Sequence, residues 1–319
     1  MQCLICLNKN FLKILQVKEM MMGKRDSFNY FHCENCDSLQ IKNVPDNLSE
    51  YYPIDYYSFK QNSRSNFVQN YATRLRNHFA VYGEGIFGKY LNFFKPNPSL
   101  NSMRVIKPKK NWKILDVGCG SGELLLHLKM IGFKNLEGID PFLKEEINYS
   151  EGLKIRNIRL EEQYGKWDLI MFHHSFEHMQ NPDFILKQVY RLLDDKGFCI
   201  IRTPNLSSHA WRKYGAHWVQ IDAPRHIVIY STNSLKLISK NNGLILFDMK
   251  DDSDGFQFWG SEQYLKDIAL NDDKSYLKNK NNMIFKKSEL IKFDKDAKDL
   301  NSKNDGDQTI YYFKKIFPK

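Results

Sequence analysis

No stretch of the sequence stays apolar long enough to span a bilayer. The opening residues, MQCLICLNKN, lack the basic segment, apolar core and small-residue cleavage site of a secretory signal. Neither a membrane span nor export is therefore expected, and the expected location is the cytoplasm. Without an oxidising destination, the six cysteines should be reduced thiols or metal ligands rather than a disulfide framework. A concentrated basic block is also missing. The net charge of +10, from 47 Lys and Arg against 37 Asp and Glu, is spread along the chain together with Asn and Ile, so it does not by itself point to nucleic acid. What is present is 319 residues with 42% hydrophobic and 14% aromatic content, enough for one large core and a small accessory module.

Four cysteines form two Cys-x-x-Cys pairs, Cys3 with Cys6 and Cys33 with Cys36. Each pair lets two thiolates reach one ion from a tight turn, and two pairs complete a tetrahedral sulfur site, so structural zinc is expected in a ribbon-like module over residues 1–42. His32, beside the second pair, is an alternative ligand. A metal clip would also explain how so short a segment holds a fold with little core. Residues 43–110, from the tyrosine-rich EYYPIDYYSF through FVQNYATRLRNHF, read as a connector followed by capping helices.

From Trp112 short apolar runs alternate with amphipathic stretches, the pattern of βα units around a parallel sheet, which assigns residues 111–319 to an α/β domain. WKILDVG, LEGID, WDLIMFHH and FCIIRTPN read as strands. PDFILKQVYRLLDDKG reads as a helix stopped by Gly197, and STNSLKLISKNNG as a helix between caps Ser231 and Gly243. The polar region before the closing QTIYYFKKI resembles a disordered tail, but a tail has no use for an aromatic, β-branched run. That last strand is expected beside LILFDM, antiparallel, with residues 255–306 as an excursion.

ILDVGCGSGELLLHL, residues 114–128, carries three alternating glycines after an acidic residue. A dinucleotide fingerprint needs its third glycine one position later, which disfavours NAD. Asp116, Gly118, Gly120 and Gly122 in LDVGCGSG instead resemble the first motif of the class I S-adenosylmethionine-dependent methyltransferases. Bare backbone lets the amino-acid end of such a cofactor approach, and Asp140, roughly 20 residues beyond the loop, stands where an acid accepts both ribose hydroxyls. The expected cofactor set is Asp116, Gly118, Cys119, Gly120, Gly122, Asp140, Leu160 and His173.

The resemblance continues through FHHSFEHMQNP, RTPN, HWVQIDAPRH and DGFQFWGSEQY toward a bacterial branch encoded near surface-polysaccharide genes, several members of which carry an N-terminal zinc module. It implies a sugar acceptor, nucleotide-linked or in a glycan, with a histidine base after the fifth strand of the fold. His226 occupies that place, with His178 as the second candidate. Ala223, Pro224 and Arg225 replace the Tyr, Asp and Glu that precede the family histidine, which puts O-methylation level with C-methylation. Glu177, Asn205, Trp218 and Arg225 are the expected substrate contacts, Arg225 as a fork for phosphate or carboxylate. An RNA methyltransferase is the rival enzyme, disfavoured because HHSFEH stands where an RNA amino methyltransferase would carry Asn/Asp-Pro-Pro-aromatic. A non-catalytic scaffold is disfavoured by the intact glycines and acids.

Overall fold

A computed structural model describes residues 2–9, 12–52, 67–149, 152–280 and 284–316. Much of EYYPIDYYSF lies outside the described residues. At the N-terminus the turn carrying Cys3 and Cys6 leads into three antiparallel strands, β1 (Leu12–Lys18), β2 (Ser27–Cys33) and β3 (Ser38–Ile41), with Cys36 in the β2–β3 turn. Three capping helices follow: α1 (Phe67–Tyr82), α2 (Ile86–Phe94) and α3 (Pro98–Asn101). The start of α3 is set by Asn97, whose side chain accepts from Leu100 N, and by Pro98 at the first position.

The central sheet is built from β4 (Lys113–Val117), β5 (Asn135–Ile139), β6 (Ile147–Asn148), β7 (Lys154–Arg156), β8 (Trp167–His173) and β9 (Leu193–Pro204), joined later by β11 (Leu244–Asp251) and β12 (Gln308–Lys315). Its order is β11-β12-β9-β8-β4-β5-β7-β6, with the β9-β8-β4-β5-β7 stretch parallel and β12 antiparallel to both its neighbours. This is a Rossmann-like sheet with a mostly parallel centre and a final antiparallel strand, as the resemblance implied. Ile114, Leu115, Leu169 and Ile170 are fully enclosed, as a sheet covered on both faces requires.

Helices α4 (Glu123–Met130), α5 (Pro182–Leu192), α6 (His209–Tyr214) and α7 (Thr232–Asn241) connect the strands. Ser231 caps α7 as expected. The helix before β9 ends at Leu192, short of the expected Gly197, because Leu193 already pairs with Trp167 and the ladder to β8 takes over the backbone. Between β11 and β12 the chain forms α8 (Phe256–Leu265) and α9 (Lys287–Ser302); α8 buries Gln257, Phe258, Gln263 and Tyr264. No described helix is long and apolar enough to cross a membrane.

Two cores flank the sheet. On one face Ala80, Val81, Leu100 and Met103 of the capping segment pack with Leu125, Ile200 and Tyr312, and Tyr312 Oη donates to Ser102 O at 2.7 Å. On the other, Tyr30, Phe31 and Leu39 share a cluster with Ile170, Phe172 and Ile201. The N-terminal strands are fastened there by a fourth, β10 (Val228–Ile229), which pairs Val228 with Gln40 and Ile229 with Leu39. Phe313, fully enclosed on β12, tests how much the sheet depends on its last strand. Phe313→Ala should lower the unfolding free energy by about 3–5 kcal/mol, the cost of deleting a buried aromatic side chain. Urea titration followed by tryptophan fluorescence measures this; a loss below about 1 kcal/mol would mean that β12 is peripheral.

Candidate functional site

The loop after β4 turns through three left-handed glycines: Gly118, Gly120 and Gly122 have φ of 72°, 55° and 79°. A Cβ on Gly118 would also lie 2.5 Å from Ser175 Cβ, so that position excludes a side chain on two counts. Asp140, just past β5, holds the turn: its two carboxylate oxygens accept from Gly120 N and Phe142 N, each at 2.9 Å. Asp116 lies beneath the loop, and its Oδ1 is buried with no hydrogen-bond partner among the described residues. Burial, followed by the nearby Asp140, pushes its pKa up to about 7. A buried acceptor without a donor, next to backbone kept bare, fits a ligand that brings a cationic donor. S-adenosylmethionine, with its ammonium, is such a ligand.

Above this loop opens a cavity of about 620 Å³, of the size that holds a small molecule. Gly118, Asp140, Leu160 and His173 of the expected cofactor set line it, whereas Cys119, Gly120 and Gly122 belong to the turn and Asp116 to the end of β4. The Cys119 sulfur fills the space where a Cβ on Gly138 would sit. Both ring nitrogens of His173 are buried without a hydrogen-bond partner among the described residues, and burial, then the Arg202 charge, drives its pKa well below the ordinary value. The sequence reading missed Tyr52, Phe142 and Ser175. Tyr52 stacks on Phe142, with ring centroids 5.9 Å apart and planes at 16°, and Ser175 Oγ donates to Val117 O at 2.6 Å. Phe142 could have been found from its place two residues after Asp140. Tyr52 could not, because nothing local links the connector to the loop.

His178 lies on the cavity wall, on a 3₁₀ turn (Phe176–His178) that follows β8. Its Nδ1 is 2.9 Å from Arg225 O and 3.2 Å from Tyr52 Oη. A carbonyl only accepts, so Nδ1 carries the hydrogen and Nε2 the lone pair. Burial, then the charge of His226, lowers the His178 pKa to about 4. His226 sits behind, its ring centroid 4.8 Å away, and does not line the cavity. Its Nδ1 donates to Gln220 O at 2.8 Å, which turns Nε2 toward Asp222 Oδ2 at 3.7 Å and Glu177 Oε1 at 3.9 Å.

Glu177 is fully enclosed. Burial alone would raise its pKa, but His174, His226 and His178 around it hold it down to about 2. Glu177 Oε2 also accepts from Thr203 Oγ1 at 3.0 Å. Of the other expected substrate contacts, Arg225 is 2% exposed and turned to Asp222 and Met21. Trp218 is enclosed, with Nε1 donating to Asp307 at 3.0 Å, and Asn205 Nδ2 donates to Thr309 Oγ1 at 3.0 Å. None of these four lines the cavity; they form the framework around it.

The four expected metal-ligating cysteines converge. Cys3 and Cys36 sulfurs lie 3.6 Å apart, Cys6 and Cys33 likewise, and all four fall within 4.8 Å of one another. A tetrahedral zinc with sulfur at about 2.3 Å requires sulfur–sulfur spacings of about 3.8 Å, so the set fits that ion. His32 is turned away to Asp37, at 2.7 Å. Glu177, His178 and His226 also offer ligand atoms within 4.8 Å of one another.

The raised Asp116 pKa has a measurable sign. In the ligand-free fold the carboxyl stays protonated up to about pH 7, so its contribution to stability falls as pH rises from about 4 toward 7. An ammonium bound beside Asp116 would favour the carboxylate, so binding below pH 7 would expel a proton. S-adenosylmethionine affinity should therefore weaken as pH falls from 7 to 5, with about one proton released per ligand at pH 6 in calorimetry across buffers of different ionisation enthalpy. Asp116→Asn should abolish the release. Unchanged release in that variant would take the ammonium away from Asp116.

Comparison with known proteins finds a family match and several relatives. Residues 86–246 match a family described as "Methyltransferase domain". The ubiquinone biosynthesis O-methyltransferase of Pelagibacter ubique is 28% identical over 191 residues, 54% of this chain and 78% of that protein. The tRNA U34 carboxymethyltransferase of Sulfurimonas denitrificans is 28% identical over 132 residues, 37% of this chain and 44% of its own length. Among solved structures, the magnesium protoporphyrin IX methyltransferase of Synechocystis PCC 6803 superposes with a TM-score of 0.41 at 14% identity, covering 64% of this chain and 91% of that one. With the family match spanning half the chain and lying on the glycine loop and its sheet, the protein belongs to the methyltransferase-domain family and is an S-adenosylmethionine-dependent methyltransferase.

Proposed function

We propose that the protein methylates a sugar hydroxyl, on a nucleotide-linked sugar or a surface glycan, with His178 as the general base and His226 as the group that positions and tunes it. The observation that carries this reading is the His178 imidazole at the cavity wall, with Nδ1 held by Arg225 O and the lone pair left on Nε2. Its depressed pKa keeps it neutral, and so able to take a proton, throughout the physiological range. When bound, S-adenosylmethionine supplies an electrophilic methyl group on sulfonium sulfur. The chain then has to hold the acceptor in line, exclude water and accept the hydroxyl proton at Nε2. The stacked Tyr52 and Phe142 supply a flat wall against which a sugar or base ring packs. The sugar class rests on the resemblance of DAPRH and its neighbours to the polysaccharide branch. Hydroxyl is favoured over carbon because the Tyr-Asp-Glu that would assist carbon deprotonation is absent.

His178→Ala should lower turnover by roughly two to four orders of magnitude, the range for losing a positioned base, and leave S-adenosylmethionine affinity intact. The wild-type rate should stay level from pH 8 to 6 and decline only as pH falls through about 4, where the imidazole gains its proton. His226→Gln removes the neighbouring charge that depresses His178, so the acid limb should move to higher pH. These rates are read from S-adenosylhomocysteine formed with UDP-galactose, dTDP-rhamnose, bulk tRNA or a catechol as acceptor. Turnover on tRNA or catechol and not on either sugar would overturn the acceptor class, and an unaltered rate in His178→Ala would remove the base.

We also propose that the cysteine cluster holds one structural zinc. Four thiolates leave the ion no open position, and the fit of the sulfur spacings supports this. Protein purified without chelators should contain about one zinc per chain by elemental analysis. Cys36→Ser should lose the metal and lower the melting temperature. Metal-free, fully stable wild-type protein would exclude the ion.

A further inference from the structure

A second cavity, of about 400 Å³, opens between the capping helices and the β9, β11 and β12 end of the sheet. It meets the first across one contact. Arg202, on its wall, donates from Nη1 to His174 Nε2 at 2.5 Å, and His174 lines the cofactor cavity. Gln220, also on its wall, holds His226 through its carbonyl. Two amide oxygens on this wall have no hydrogen-bond partner among the described residues although they are buried: Gln257 Oε1, in a residue only 1% exposed, and Asn92 Oδ1. Leaving such acceptors unmet costs free energy unless a ligand brings donors. The wall holds Arg104, Arg202 and Lys250 beside Asp252, Asp254 and Asp307, so its charge is of mixed sign, unlike the uniformly basic lining that a polyanion calls for. Arg202 is already committed to Asp252 at 2.7 Å. Phe256 and Ile310 add an apolar face. Unmet acceptors, charge of mixed sign and an apolar wall are the complement of an uncharged, polyhydroxylated ring.

We propose that this second cavity seats the hydroxyl-rich part of the acceptor, with Gln257 Oε1 and Asn92 Oδ1 accepting from its hydroxyls. The acceptor lies across the Arg202–His174 contact, its reacting hydroxyl in the first cavity and its remaining hydroxyls in the second. The inference rests on the sugar reading above and assigns that sugar a place and two recognition residues.

Saturation-transfer NMR with UDP-galactose and dTDP-rhamnose on the full chain tests it, with UDP as the sugar-free probe. In the wild type, saturation should appear on sugar-ring protons. Gln257→Leu and Asn92→Ala should each weaken sugar-nucleotide binding by about tenfold, the upper range for one lost hydrogen bond. Gln257→Glu, which keeps an acceptor oxygen, should retain binding. S-adenosylmethionine affinity should be unchanged in all three, which shows that the fold and first cavity are intact. Sugar-ring saturation of equal strength in the wild type and in both Gln257→Leu and Asn92→Ala would overturn the assignment, as would saturation confined to the nucleotide. If the wild type methylates a sugar while those variants keep its KM, only the cavity assignment fails. If neither sugar nucleotide binds or is methylated, the sugar reading fails and this inference with it.

Discussion

The histidine side of the cavity depends on a short run of backbone pairing between β3 and β10. Ile41 N donates to Ile227 O at 3.0 Å, and Ile227 N donates to Glu177 O at 2.8 Å, so the cysteine module and the histidine turn are two hydrogen bonds apart. Tyr30 Oη donates to His226 O at 2.8 Å, and Ser231 Oγ to Cys36 O at 3.1 Å. The N-terminal strands therefore do more than decorate the enzyme domain. They hold the backbone of the segment that carries Arg225, His226 and the start of α7, which positions the histidines only as firmly as those strands are themselves held.

Within that frame Glu177 sets the electrostatics. A carboxylate taken wholly out of water persists in its charged form only with compensating partners, and three imidazoles and a threonine hydroxyl surround this one. His174 and His178 have depressed pKa values, burial being the first cause in each case. The site thus joins an enclosed negative centre to imidazoles that burial keeps neutral, with Arg202 occupying the lone pair of His174.

The glycine loop and Asp140 were legible in the sequence because they are local: a strand, a turn that needs positive φ, and an acid at the end of the next strand. The cysteine pairs were legible for the same reason. The βα pattern also foretold the placement of β12 beside β11, since an aromatic strand after a polar excursion has to return to a core. The helix before β9 read too long because its polar DDKG fits a helix end as well as it fits a strand start, and tertiary pairing decided between them. Trp218 and Asn205 read as sugar contacts by residue type, and only the fold reveals Asp307 and Thr309 as their partners. The second cavity was invisible because Asn92, Arg202 and Gln257 are brought together from three distant segments.

The antiparallel strand β12 fills the gap between β9 and β11, although both neighbours precede it by many residues. During synthesis β9 therefore emerges with one edge open, and β11 has no strand to dock on until the excursion and β12 have left the ribosome. An exposed edge with a Phe-Cys-Ile-Ile run is a template for pairing with other chains. Nascent chains stalled within the excursion would carry that edge unpaired until the last strand arrives to cover it.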